Sequence, residues 1–148
     1  MTENQKDMFL RALTEFGSCN VRVIGSSMWP FICNDDILCI KSGFKKPQLG
    51  MVVAFFNSNQ LIVHRILCYK KIIDGVWRIT LWGDSSPHSQ SKILSDHIVG
   101  SLSHVQRKGK IIKMWFSPPI QILVLPLGFL LQLILIILKR GSKSFKIN

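Results

Sequence analysis

The chain has 148 residues, of which 47% are hydrophobic and 18% charged, and its mean hydropathy is +0.27. This length accommodates one small domain and little else. The mean hydropathy is unusual for a soluble domain, so the apolar residues must first be searched for a membrane-spanning segment before they are assigned to a hydrophobic core. Residues 1–96 hold 11 Lys/Arg and all 8 acidic residues, whereas residues 97–148 hold 8 Lys/Arg and no acidic residue. Because this excess positive charge brackets an apolar run, it favours membrane lipids over nucleic acid as a partner.

The first segment has the pattern of an amphipathic helix. Four apolar residues recur at helical spacing, namely Phe9, Ala12, Leu13 and Phe16. They form one stripe on a helix over residues 4–16, and charged residues occupy the opposite face. Gly17 is expected to end this helix. Residues 1–18 are therefore predicted to be an N-terminal amphipathic helix.

The middle of the chain consists of short β-type runs separated by turn signals. The predicted strands are residues 21–24, 37–40, 51–56, 61–67, 77–82 and 97–105. Asp74-Gly75 predicts a hairpin between two of these runs. Six short strands without an intervening helix predict a mainly β domain over residues 19–115, either barrel-like or folded over on itself.

An uncharged run of 20 residues covers positions 119–138. As a helix rising about 1.5 Å per residue, it can cross the ~30 Å hydrocarbon layer of a bilayer. We predict a transmembrane anchor at 119–140 and a basic tail at 141–148, which makes the chain a single-pass membrane protein. Four Lys/Arg precede the span and four follow it, so the positive-inside rule leaves the side of the β domain open.

The four cysteines, Cys19, Cys33, Cys39 and Cys68, form no C-x-x-C pair and do not cluster with histidines. This spacing gives little support to a zinc site and favours free thiols. The sequence also has no phosphate loop and no nucleotide fingerprint. We expect no metal and no cofactor.

Ser27 leaves a predicted strand and enters a tight turn between Gly25 and Pro30. A serine on such a turn can project its hydroxyl from a fixed backbone, as a nucleophile must, and the turn can direct N–H groups toward an oxyanion. Gly-Ser-Ser is also common in loops. The turn alone therefore does not identify a catalytic residue.

His64 and Arg65 lie inside an apolar predicted strand, where a charged or polar side chain is costly unless it has a partner. Alternation along the strand places His64 on one face and Arg65 on the other. His64 is either a satisfied core histidine or a general base for a serine near neutral pH. Asp84, at the end of the next predicted strand, either caps its own turn or orients the imidazole.

Together these segments resemble signal peptidase I and its relatives. Four motifs stand in the order of that family, namely Gly25-Ser26-Ser27-Met28-Trp29-Pro30, Gly50-Met51-Val52-Val53-Ala54-Phe55, Val63-His64-Arg65 and Gly83-Asp84. The bacterial housekeeping branch has lysine at the position of His64. The chain is therefore more similar to the archaeal and endoplasmic-reticulum branch, which uses serine, histidine and aspartate.

The resemblance implies a β-rich domain of folded-over sheets and a serine endopeptidase that cuts signal or leader peptides after small residues. Ser27 is then the nucleophile, His64 the general base and Asp84 the acid. The backbone N–H of Ser27 binds the oxyanion, and Ser26 is a candidate second donor. Met28 and Pro30 shape the turn and the pocket floor.

The chain departs from the family pattern at several positions. Met51 replaces an aspartate, Gly25 replaces an oxyanion-binding serine, and Ser89 and Gln90 stand where a second aspartate is common. The predicted anchor follows the catalytic serine instead of preceding it. Two other functions are therefore weighed, a non-catalytic membrane-bound binding module with the same fold and a self-cleaving DNA-binding regulator. The second needs a helix-turn-helix that residues 1–20 cannot hold.

Overall fold

The structure, a computed structural model, describes residues 1–113, apart from the side chains of residues 86–89. One α-helix precedes a set of antiparallel strands, and a single 3-10 turn, Ser95–His97, interrupts them. The elements are α1 Glu3–Phe16, β1 Ser18–Arg22, β2 Ile37–Lys41, β3 Val52–Asn57, β4 Gln60–Ile73, β5 Val76–Gly83, β6 Ser86–Leu94, β7 Ile98–Arg107 and β8 Lys110–Ile112. The prediction of a mainly β domain with a short N-terminal helix is confirmed.

Both ends of α1 are capped by local hydrogen bonds. The Thr2 hydroxyl accepts from the N–H of Gln5, and the Gln5 side chain accepts from the N–H of Thr2, which satisfies two donors that a helix start leaves free. Gly17 has φ of 71° and donates its N–H to the carbonyl of Leu13. A residue without Cβ takes this left-handed conformation at little cost, so the helix ends there as predicted.

The apolar stripe of α1 is only partly buried. Phe9 and Leu13 are each 4% exposed, and the ring of Phe9 meets the ring of Phe56 edge to face at 5.9 Å. Phe16, the last residue of the stripe, is 76% exposed. It lies in the last turn of the helix, directly before the chain turns into β1, and this turn projects beyond the core.

The strands form one antiparallel sheet in the order β1-β2-β7-β3-β4-β5-β6, and β8 pairs with the end of β7. The hairpin predicted at Asp74-Gly75 connects β4 to β5. A closed barrel needs pairing between the two end strands, and β1 and β6 do not pair in the described part of the chain. The sheet is therefore open, and the barrel-like alternative is wrong.

Two strands were not predicted from the sequence. β6 carries serine, histidine, glutamine and Pro87 in place of an apolar alternation, and β8 has only three residues. Both pair on one side only in the described structure, β6 with β5 and β8 with β7. A strand at the edge of a sheet tolerates polar residues and proline, which removes the signal that strand prediction depends on.

The sheet separates two apolar cores, because successive residues of β3 face opposite sides. Val52 and Ala54 contribute to the first core, and Val53 and Phe55 contribute to the second. The first core also contains Phe9, Leu13, Met28, Ile32, Leu38, Ile40 and Val105, and the second also contains Ile66, Ile79, Leu81 and Ile98. With both of its faces covered, β3 accounts for the continuous apolar run in this part of the sequence.

Replacing Ile79 by alanine removes methyl groups from the second core, where Ile79 is fully buried. We expect the free energy of unfolding to fall by about 2–5 kcal/mol, measured by urea denaturation of the full chain in detergent micelles. Ile73→Ala is the matched control, because Ile73 is 63% exposed at the end of β4. Its effect should stay within about 0.5 kcal/mol. Equal losses in the two variants would contradict this assignment of the core.

Candidate active site

Ser27 lies in the loop between β1 and β2, and hydrogen bonds close the base of this loop. The N–H of Val23 donates to the carbonyl of Asp36 at 2.8 Å, and the N–H of Asp35 donates to the carbonyl of Val23 at 3.0 Å. Gly25 has φ of 116° and donates its N–H to the side-chain oxygen of Asn34 at 3.0 Å. The loop therefore leaves β1 with a sharp bend that favours glycine.

An ion pair between Asp36 and Arg107 holds one side of this loop to β7. The buried carboxylate of Asp36 accepts from Nε and Nη2 of Arg107, both at 2.8 Å, and from the N–H of Cys33 at 2.7 Å. Arg107 also donates to the carbonyl of Phe31 at 3.1 Å. The Arg107 guanidinium holds the pKa of Asp36 below its ordinary value, so the pair stays charged at neutral pH.

Within the loop, burial alternates sharply between neighbouring residues. Met28 is 4% exposed and packs in the first core beside Ile32, whereas Ser27 and Ser26 are exposed. The N–H of Ile32 donates to the carbonyl of Met28 at 2.9 Å. Pro30, which follows a cis peptide bond, is half-buried. The apolar side chains therefore anchor the loop and leave the hydroxyl of Ser27 at the surface.

His64 lies on β4 opposite Val53 of β3 and is 5% exposed. Its ring contacts Phe55 with centroids 6.2 Å apart. Burial lowers the pKa of His64 below its usual 6.5, and the charge of Asp84 offsets part of this effect. The imidazole is therefore neutral at pH 7, as a general base must be.

Arg65, the next residue, forms a buried ion pair with Asp84. Its Nε and Nη2 donate to the two carboxylate oxygens at 2.8 and 2.6 Å, and its Nη1 donates to the carbonyl of Gly50 at 2.9 Å. The side chains are 4% and 2% exposed. Both oxygens of Asp84 thus receive hydrogen bonds from Arg65, while Nδ1 of His64 has no partner among the described residues. The carboxylate acts on the imidazole through its charge, and no hydrogen bond joins them.

Ser85 connects the end of β5 to the loop of Ser27. Its hydroxyl donates to the carbonyl of Ser26 at 2.5 Å, and its N–H donates to the carbonyl of Ser27 at 2.9 Å. Ser85 itself is 9% exposed. The two peptide units beside the candidate nucleophile are therefore fixed to the chain segment that carries Asp84.

Ser27 and His64 line the same cavity, whose volume is about 530 Å³. Met28, Ile32 and Leu38 form part of its apolar wall. Of the residues predicted for the site, the described structure brings Ser27, Met28 and His64 to the cavity. The other three, Ser26, Pro30 and Asp84, do not line it.

Two unpaired strand edges also border this cavity. Residues 60–64 pair with β3 on one side only, because β5 begins to pair with β4 at Arg65. Residues 21–25 comprise the end of β1, the end strand of the sheet, and the three residues after it, of which Val23 directs both of its backbone groups toward residues 35 and 36, just before β2. By antiparallel alternation, the N–H and C=O groups of Arg22 point to the free side.

Residues 1–113 contain no group of three or more His, Cys, Asp or Glu side chains placed to hold a metal ion. The four cysteines are free thiols, and Cys39 is buried whereas Cys68 is exposed. None of the helices in this part of the chain is long and apolar enough to cross a bilayer. The anchor predicted at 119–140 and the tail at 141–148 lie outside the described residues.

Sequence reasoning missed three parts of the site, namely the partner of Arg65, the contacts of Ser85 and the free edge at residues 60–64. The cost of burying Arg65 indicates that it needs a partner, and Asp84 is that partner. Ser85 carries no such signal, because a serine beside Gly83-Asp84 is equally typical of an ordinary turn. The unpaired edge at residues 60–64 depends on where β5 ends, and the ends of strands are the least predictable part of a sequence-based assignment.

No protein-family model matches the chain, and no curated protein sequence matches it.

Replacing Asp84 by asparagine removes one charge of a buried pair and leaves Arg65 uncompensated. We expect the free energy of unfolding to fall by about 3–5 kcal/mol, measured by urea denaturation. Asp74→Asn is the matched control, since Asp74 forms an exposed ion pair with Lys71, and its stability should stay close to wild type. Comparable effects of the two substitutions would contradict a structural role for the Arg65–Asp84 pair.

The pKa of folded His64 also predicts a pH dependence of stability. Because this pKa lies below 6.5, the unfolded chain binds a proton at His64 at a higher pH than the folded chain does. As the pH falls through 6.5 toward the folded pKa, wild type should lose more stability than His64→Gln does. Urea denaturation of both proteins at about pH 7.5 and about pH 5 measures this difference. Parallel pH profiles would show that burial does not shift His64.

Proposed function

We propose that this protein is a membrane-anchored serine endopeptidase in which Ser27 is the nucleophile and His64 the general base. The observation that carries the proposal is that an exposed serine and a buried, neutral histidine, 37 positions apart in sequence, line one cavity. The four motifs that resemble signal peptidase I contain both residues in the order of that family. Geometry and motif thus support the same pair.

In this mechanism His64 accepts the proton of the Ser27 hydroxyl while the serine oxygen attacks the scissile carbonyl carbon. The protonated imidazole then gives that proton to the leaving amine, which departs and leaves an acyl-enzyme. A water molecule, deprotonated by His64, attacks the acyl carbon, and the imidazolium returns that proton to the Ser27 oxygen as the carboxylic acid product leaves. Ser27 also supplies its backbone N–H to the oxyanion. Ser26 does not line the cavity, so we assign the oxyanion contact to Ser27 alone.

The proposed substrate is the signal or leader segment of a precursor protein, cut after a small residue. An extended peptide between residues 21–25 and 60–64 can bond to two free strand edges, as in other proteins that bind peptides by strand addition. The small-residue preference comes from the resemblance to the archaeal and endoplasmic-reticulum branch. The apolar wall of Met28, Ile32 and Leu38 is consistent with it.

Asp84 has an electrostatic and structural part in this proposal. Its charge raises the pKa of His64 and so favours the imidazolium that forms during the reaction. Among the described residues, however, its carboxylate oxygens accept hydrogen bonds only from Arg65. The site therefore works as a Ser27–His64 dyad with Asp84 nearby, and the second acid of the family is replaced by Ser89 and Gln90.

The membrane part of the proposal rests on the sequence. The uncharged run at 119–138 is long enough to span a bilayer, and basic residues flank it on both sides. An anchored peptidase meets translocating precursors and anionic lipids at the same surface. We propose lipids and the precursor as its partners, with no nucleic acid and no cofactor.

One observation favours a second candidate, a non-catalytic membrane-bound binding module. A buried Nδ1 without a hydrogen-bond partner does not fix which nitrogen of His64 carries the proton, and a general base needs the other nitrogen free. A module that only holds an extended peptide along the two strand edges has no such requirement. The two candidates therefore make different predictions for Ser27.

Replacing Ser27 by alanine, or His64 by glutamine, should lower cleavage of a leader-bearing precursor by about a thousandfold or more, because a serine hydroxyl without its base is a weak nucleophile. Gel analysis of the precursor incubated with full-length protein in proteoliposomes measures the processing. Ser42→Ala and His97→Gln are matched controls, since both residues are exposed and neither lines the cavity.

Processing that persists in Ser27→Ala would refute the peptidase. Wild-type protein that binds the precursor without cutting it would support the binding module instead.

A further inference from the structure

Ser85 makes two hydrogen bonds that the proposed chemistry does not use. Its hydroxyl donates to the Ser26 carbonyl at 2.5 Å, and its N–H donates to the Ser27 carbonyl at 2.9 Å. These two carbonyls belong to the peptide units immediately before and after the Ser27 Cα. One largely buried residue thus holds both units that set the orientation of the nucleophile.

The first bond also determines where the N–H of Ser27 points. The peptide between Ser26 and Ser27 is trans, so its C=O and N–H point in opposite directions. The Ser26 carbonyl is directed to the Ser85 hydroxyl and accepts in addition from the N–H of Trp29 at 3.0 Å. The Ser27 N–H therefore points away from Ser85 and Trp29, and no hydrogen bond to another described residue occupies it.

We infer that Ser85 is a positioning residue, whose hydroxyl orients the Ser26–Ser27 peptide so that the Ser27 N–H is held ready for the oxyanion. The inference rests on the proposed function, because an oxyanion forms only if Ser27 attacks a carbonyl. An N–H already oriented in the free enzyme needs no reorganisation when the charge develops, which is the source of oxyanion-hole catalysis.

Ser85 also connects the loop of Ser27 to the strand that carries His64. Ser85 follows Asp84, which is bound to Arg65, the neighbour of His64 on β4. A continuous path of short contacts thus runs from the Ser27 backbone through Ser85 and Asp84 to the strand of His64. Loss of the hydrogen bonds of Ser85 would release the backbone of Ser27 and leave His64 in its place on β4.

Ser85→Ala removes the hydroxyl bond and keeps the backbone N–H bond. We expect kcat to fall about tenfold to a hundredfold and KM to stay within about twofold, because the strand edges that bind the peptide are untouched. Ser85→Thr restores a hydroxyl and should recover most of kcat. Ser42→Ala is the matched control, since the Ser42 hydroxyl also donates to a carbonyl, that of Gly17, outside the cavity.

A second measurement does not depend on turnover. The Trp29 N–H shares the Ser26 carbonyl with Ser85, so its hydrogen exchange should become at least about threefold faster in Ser85→Ala. The amide of Ile66 in the second core serves as the internal reference for an intact fold, because it donates to the Met51 carbonyl at 2.8 Å. If the Trp29 N–H exchanges at the same rate in Ser85→Ala and in wild type, the proposed positioning role of Ser85 is contradicted.

The outcomes separate this inference from the proposed function. If Ser27→Ala is inactive and Ser85→Ala keeps wild-type kcat, the positioning role is overturned and the peptidase stands. If Ser85→Ala raises KM and leaves kcat unchanged, Ser85 contributes to substrate binding and the inference is also wrong. If wild type and Ser27→Ala process the precursor equally, the peptidase fails, and the inference fails with it.

Discussion

The buried ion pair between Arg65 and Asp84 is the constraint on which the site depends. Both charges are nearly excluded from water, so each needs the other, and their bidentate geometry permits only a narrow range of positions. Arg65 belongs to the strand of His64, and Asp84 precedes Ser85, which holds Ser27. The pair therefore joins two distant parts of the chain, the strand that carries His64 and the segment that holds the loop of Ser27.

The loop between β1 and β2, which carries Ser27, is bound to Ser85 on one side and is held by other contacts on its opposite side. Met28 and Ile32 are inserted into the first core, and Asp36 is bound to Arg107 of β7. The loop is thus fixed by apolar burial and an ion pair at one side and by Ser85 at the other. Ser27 is exposed between these anchors. The contacts of its neighbours offset the entropic cost of ordering its backbone, so its own side chain does not need to be buried. An exposed side chain on a rigid backbone is what nucleophilic catalysis requires.

The sequence predicts those parts of the fold that depend on local patterns. Helical spacing and the glycine at its end give α1, and apolar runs give β2, β3 and the first half of β4. β6 was not predicted because an edge strand needs no apolar alternation, and helical spacing does not show that Phe16 is exposed, because burial depends on where the helix meets the sheet. The same limit applies to the site. The need of Arg65 for a partner is predictable, whereas the role of Ser85 depends on contacts with residues 58 and 59 positions away.

The free-energy cost of protonating the buried His64 matters for a peptidase, which must form an imidazolium, but not for a binding module. Burial keeps the imidazole neutral in the resting protein, which suits a base and opposes the imidazolium of the transition state. Arg65 offsets the charge of Asp84, so that carboxylate supplies only part of the compensation. In the proposed peptidase reaction, the remaining compensation would come from the oxyanion, because proton transfer to His64 and oxyanion formation at Ser27 create opposite charges together. Because His64 is 5% exposed whereas Ser27 is exposed, water screens the attraction between these charges at the serine more than at the imidazole.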